Sequence, residues 1–81
     1  GLDSRPEDSM LRQELLETLT RGITSLRENE QTVISLYYQK NLSMKEIAQV
    51  MEVSEPRISQ LHSRAIQKLK LYMNQYMTGS Q

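Results

Sequence analysis

The chain has 81 residues, ten basic and ten acidic, with no cysteine and few glycines or prolines. That length supports one small domain with one modest core. The composition excludes disulfides, thiolate catalysis and cysteine-based zinc sites, and it leaves an all-β fold almost no turn residues to use.

No apolar run approaches the ~20 residues needed to span a bilayer. No signal peptide is visible, and the absence of cysteine fits a cytosolic protein. The chain begins at Gly1 rather than Met, as a domain excised from a longer protein would. A net charge of zero argues by itself against nucleic acid, but the charge is unevenly distributed. Residues 1–42 hold five basic and seven acidic residues; residues 43–81 hold five basic and three acidic. After Glu55 no acidic residue follows, while Arg57, Arg64, Lys68 and Lys70 remain. A phosphate-binding surface needs local positive charge, not a basic total. A solvated helix face explains the same residues equally simply.

In chain order, residues 1–6 read as a flexible segment, 7–77 as one helical domain and 78–81 as a flexible tail. The first helix is expected from about Glu7 to Ser25, with Pro6 near its start and Leu15, Leu19, Ile23 and Leu26 on one side. Its Glu14 and Glu17, with Glu28 and Glu30 of the next helix, read as solvated acids that no base, nucleophile or metal ligand accompanies. The second helix is expected from about Glu28 to Gln39, carrying Val33, Ile34, Leu36 and Tyr37. Tyr37 and Tyr38 are adjacent, so they point to different sides, one toward the core and one toward solvent or a partner. Lys40-Asn41-Leu42 is a short connection, and Asn41 tolerates the left-handed conformation that ends helices.

Ser43 and Glu46 form a capping box, which opens a third helix over about 44–51. Met44, Ile47, Ala48 and Met51 repeat at i, i+3, i+4, i+7, one face of a helix. Ser54 is a second N-cap, followed by Pro56 in the first turn, where its missing N–H costs nothing. The fourth helix starts near Glu55 and extends to about Met77. Two short amphipathic helices this close must bury their stripes against each other and a third element, the pattern of a helix-turn-helix. The fold class is therefore all-α: a four-helix, helix-turn-helix bundle without a wing.

On the fourth helix, Ile58, Leu61, Ala65, Leu69, Tyr72 and Tyr76 share an arc of about 80 degrees. Opposite lie Pro56, Ser59, Gln60, Ser63 and Gln67. Arg57, Arg64 and Lys68 sit on one flank between the two arcs. Small outer residues let a helix backbone come close to a major groove. Gln60 has the groups to pair both ways with an adenine edge, and serines donate or accept. Arg57 reaches a guanine edge or a phosphate, while Arg64 and Lys68 suit phosphates. His62 lies on the other flank and reads as half-buried packing rather than a DNA contact. No second His or Cys accompanies it, so no metal is expected, nor any cofactor or small-molecule substrate. Tyr72, Met73, Tyr76 and Met77 extend the apolar stripe toward either the first helix or a partner helix.

The run Val33-Ile34-Ser35-Leu36-Tyr37-Tyr38, and the stretch from Lys45 to Leu69, resemble region four of bacterial RNA polymerase sigma factors, most nearly the flagellar and sporulation (FliA/WhiG) group. The resemblance spans about residues 25–70. It implies a non-enzymatic domain of an alternative sigma factor that binds the promoter minus-35 element through its last helix. It also implies docking on the flap of the polymerase β subunit and recognition by an anti-sigma factor. Carried over by position, it places Arg57, Ser59, Gln60 and Arg64 toward DNA, puts Glu55 and Pro56 at reading positions and gives Lys45 a phosphate; Ser63 joins the DNA-facing set from its place on the outer arc. Lys68 keeps the phosphate role read from its flank. Glu52 departs from the pattern, because many such turns place glycine there. A left-handed Glu costs on the order of 1 kcal/mol relative to Gly. Two alternatives remain: a LuxR-type response-regulator effector domain, which shares Lys45-Glu46-Ile47-Ala48, and a helical protein-interaction module that binds no DNA.

Overall fold

The structure is a computed structural model that describes residues 6–78, with side chains from 9 to 76. Of the flexible ends expected at 1–6 and 78–81, residues 1–5 and 79–81 lie outside the described residues, as does the side chain of Met77, while Pro6 opens the first helix and Thr78 closes the last turn. Four helices follow in order: α1 (Pro6–Thr24), α2 (Glu28–Ile34), α3 (Met44–Met51) and α4 (Glu55–Met73). No strand occurs among the described residues.

The expected second helix is not α-helical to its end. Over Ser35–Gln39 it widens into a π turn, with the Lys40 N–H donating to the Ser35 carbonyl at 3.2 Å. The widened turn leaves Tyr37 half-buried and Tyr38 exposed. The chain then reverses at Asn41, whose φ of 56° is the left-handed conformation its side chain tolerates. A second π turn, Asn74–Thr78, continues α4 over the stretch expected to be helical to Met77.

Both caps of the helix-turn-helix form as the sequence implies. The Glu46 N–H donates to Ser43 Oγ at 3.1 Å, and the Ser43 N–H donates to Glu46 Oε1 at 2.8 Å. Ser54 Oγ accepts the Arg57 N–H at 3.2 Å. Between them α3 ends in a Schellman motif: Val53 N–H to Ala48 O at 3.0 Å and Glu52 N–H to Gln49 O at 3.3 Å. Glu52 takes the left-handed position at φ 57°, so the turn has its usual geometry without glycine.

Helix α4 is shared by two apolar clusters. Its first half carries Ile58 and Leu61 against Val33, Ile47 and Ala48, with Leu36, Leu42, Met44 and Met51 around them. Its second half carries Ala65 and Leu69 against Leu26 and Ile34, with Leu19, Ile23 and Ile66 at the edge. Burial in the first cluster fixes the angle of α4 on α3; burial in the second fixes it on α1 and α2.

At Gly22, α1 approaches α4 closely. A Cβ there would stand 3.0 Å from Tyr72 Cδ1 and 3.2 Å from Leu69 Cδ2, so only glycine admits the contact without movement. Tyr72 thus packs on α1. Two members of the expected stripes do not turn inward. Leu15 is 41% exposed, because it lies in an open groove with Ile66, Leu69 and Met73 rather than under a helix. Tyr76, on the widened turn after α4, stacks its ring on Tyr72 with centroids 4.5 Å apart and is itself exposed.

Candidate nucleic-acid interface

The outer face of α4 is set by the opposite arc's burial. With Ile58, Leu61, Ala65 and Leu69 turned inward, Pro56, Ser59, Gln60, Ser63 and Gln67 are all exposed. Glu55 is exposed at the first turn, Arg64 is exposed one turn past Gln60, and Arg57 is half-buried at the flank. Lys45 is exposed on α3. Among the described residues Lys45, Arg57 and Arg64 form no ion pair, so their charge is available to an anion. The Arg57 guanidinium makes one side-chain bond, Nη1 to Gln60 Oε1 at 3.4 Å.

Lys68 does not belong with these cations. Its ammonium donates to both carboxylate oxygens of Glu30, at 2.9 and 3.0 Å, across α2 and α4. Glu30 is 1% exposed, so the expectation of a solvated acid there is corrected. Its position explains the burial. As the third residue of α2 it also accepts the Arg27 N–H at 3.0 Å, the carboxylate half of a capping box. Burial alone would push the Glu30 carboxyl up. The Lys68 and Arg27 hydrogen bonds, with the attraction of both cations, outweigh burial and hold it below its usual range. Lys68 has the chemistry of a phosphate contact, and its side chain is 45% exposed, but its ammonium is engaged by the buried Glu30 carboxylate.

His62 is half-buried, as its flank position suggests. Its Nε2 lies 2.8 Å from the Tyr38 hydroxyl, and its ring meets Tyr37 edge-on at 5.1 Å. Local spacing carried no signal for the Tyr38–His62 pair, whose members are 24 residues apart. Elsewhere, α1, α2 and α4 enclose an apolar groove of about 530 Å³ lined by Leu19, Ile23, Ile34, Ile66 and Leu69, with Tyr38 at its rim. None of the exposed residues of the outer α4 face lines it. Among the described residues no group of three or more His, Cys, Asp or Glu is placed to hold a metal ion. No helix there is long and apolar enough to cross a membrane.

Residues 22–71, which contain α2, α3, both apolar clusters' buried residues and nearly all of α4, match the family described as sigma-70, region 4. The chain is 51% identical over 63 residues to the RNA polymerase sigma factor FliA of Escherichia coli K12, covering 78% of this chain and 25% of that protein. It is 46% identical over 65 residues to the RNA polymerase sigma-D factor of Bacillus subtilis, covering 80% and 26%. It is 43% identical over 72 residues to FliA of Yersinia enterocolitica, covering 89% and 31%. The chain thus spans under a third of the length of these relatives. No solved structure matches it. With a helix-turn-helix whose caps, turn and buried stripe all form, and with this match over most of its length, the chain belongs to the sigma-70 region 4 family, of the FliA type.

Proposed function

We propose that this domain recognises the minus-35 element of a promoter by seating α4 in the major groove, and that it joins RNA polymerase through the β-subunit flap during transcription initiation. The observation that carries the DNA half is the α4 surface: Pro56, Ser59, Gln60 and Ser63 exposed and uncharged, flanked by Arg57 and Arg64 with no acidic partner among the described residues. Small polar side chains let the helix approach base edges, and the arginines on its one flank meet phosphates there. Lys45 adds a backbone contact from α3. Glu55 and Pro56 stand where the helix enters the groove, and neither neutralises Arg64, two turns on. Lys68 is left out of the phosphate set because Glu30 holds it.

The flap half rests on the groove between α1, α2 and α4. Its apolar lining suits one amphipathic helix, and it leaves the reading face of α4 free. With about three free cations the isolated domain binds DNA weakly and with strong salt dependence. A polymerase that holds it beside the promoter raises its effective concentration there. An anti-sigma factor acts by covering either surface.

The test is binding of the chain to labelled minus-35 duplex and, separately, to a flap fragment. Arg57→Ala is expected to weaken the duplex and leave the flap fragment bound. Ile66→Asp, in the groove wall, is expected to do the reverse. Loss of both ligands in either variant, with helicity kept, would contradict the two-surface reading.

A further inference from the structure

The Arg57–Gln60 contact has a consequence for which base α4 selects. A glutamine amide free to rotate presents one acceptor and one donor, the pair that matches adenine N6 and N7. Gln60 is not free in this way. Arg57 Nη1 stands 3.4 Å from its Oε1, and a guanidinium has only donors, so the amide atom facing it must be the oxygen. The Nε2 amide group is then the part turned away from Arg57. The Arg57 backbone N–H is taken by the Ser54 cap at 3.2 Å, and the residue is half-buried on the flank.

We propose that Arg57 is a positioning residue that draws Gln60 Oε1 toward itself and leaves Nε2 as the outward group, so that Gln60 meets a base chiefly through its donor and favours guanine or thymine over adenine. Guanine offers two acceptors, N7 and O6, and thymine offers O4. Adenine offers N7 as its one acceptor, beside an N6 amino group that opposes the Gln60 amino group, donor against donor. Cytosine offers only its N4 donor. Neighbouring Ser59 and Ser63 either donate or accept, so they do not impose this choice. The proposal rests on the reading of α4 as a DNA-binding helix.

Selection from a randomised duplex library at low salt tests it, using the 81-residue chain, Gln60→Ala, and Arg57→Met, which keeps the stem and removes the donors. The position at which Gln60→Ala flattens the wild-type profile is the one Gln60 reads. There the wild type is expected to favour guanine or thymine over adenine by roughly tenfold, the scale of one good base contact. Arg57→Met, with helicity unchanged, is expected to move that preference toward adenine. Two results would overturn the proposal: adenine favoured by the wild type at the Gln60-dependent position, or an Arg57→Met profile that is uniformly weaker and otherwise unaltered. If Arg57→Met loses helicity, the wild-type preference alone decides. A wild type that retains no duplex in a salt-dependent way overturns the DNA reading and this proposal with it. Duplex retained with the wrong base preference overturns only the proposal.

Discussion

Replacing Lys68 with Met removes an ammonium from a carboxylate that has almost no water. Glu30 is 1% exposed, and Lys68 supplies two of its three hydrogen bonds. Stranding a buried acceptor costs about 1–3 kcal/mol, and more when it is charged. Breaking a fully buried pair costs about 3–5 kcal/mol. The Lys68 side chain is 45% exposed, so water remains close and the lower part of that range applies. A loss of about 2–3 kcal/mol is a large share of the ~5–15 kcal/mol available to a small domain. It corresponds to a fall in Tm of about 10–20 °C at this size. The pH dependence carries a sign. In the wild type Glu30 titrates below its ordinary value of 4.5. Its contribution is therefore complete above that value and is lost as pH falls through the lower, folded-state value. In Lys68→Met, burial acts without the ammonium and raises the folded value. The variant then gains stability relative to wild type as pH falls from that raised value toward the ordinary one. Thermal melts by circular dichroism between neutral and acidic pH measure both effects. Pairing Lys68→Met with Glu30→Leu should restore much of the loss, since no buried charge remains. A Lys68→Met variant that melts with the wild type, while its DNA-binding salt slope drops by about one unit, would show that Lys68 holds phosphate and not Glu30.

Four further outcomes are expected. Leu61→Ala opens a cavity in the cluster that sets the angle of α4, should cost roughly 2–5 kcal/mol, and loses DNA binding together with helicity in the melt. Arg64→Ala should weaken all duplexes alike and reduce the log–log salt slope by about one, as read by anisotropy at several salt concentrations. Glu52→Gly relieves a left-handed non-glycine at φ 57° and should raise stability by about 0.5–1 kcal/mol in urea melts. Gly22→Leu drives a side chain into Tyr72 and Leu69 at a 3.0 Å approach; it should separate α1 from α4 and lower the Tm, with the helix-turn-helix cluster spared.

The helix-turn-helix was legible because its signals are local. Ser43-x-x-Glu46, Ser54 with Pro56, and the spacing of Ile47, Ala48, Ile58 and Leu61 each act within a turn or two of chain. The outward arc follows from the same periodicity, so spacing alone puts Ser59, Gln60 and Ser63 on the one face that is exposed. What was not legible depends on chain meeting chain. Glu30 and Lys68 are 38 residues apart, and nothing near either marks their pairing. The widening at Ser35–Gln39 also escaped a periodicity reading, because one π turn barely shifts an apolar pattern. Leu15 satisfied the spacing of the α1 stripe yet stays exposed, since spacing names a face and not what covers it.

The most direct test of DNA recognition is equilibrium binding of the chain to a minus-35 duplex and to a scrambled duplex across a salt titration, with an Arg57→Ala/Arg64→Ala double variant alongside. Lys45, Arg57 and Arg64 give about three phosphate contacts, so log K for the wild type should fall against log salt with a slope near −3. The matched duplex should be held more tightly at every salt concentration, and the double variant's slope should lie near −1. Equal binding of the two duplexes, or a slope that the double substitution leaves unchanged, would show that α4 does not read DNA through this face.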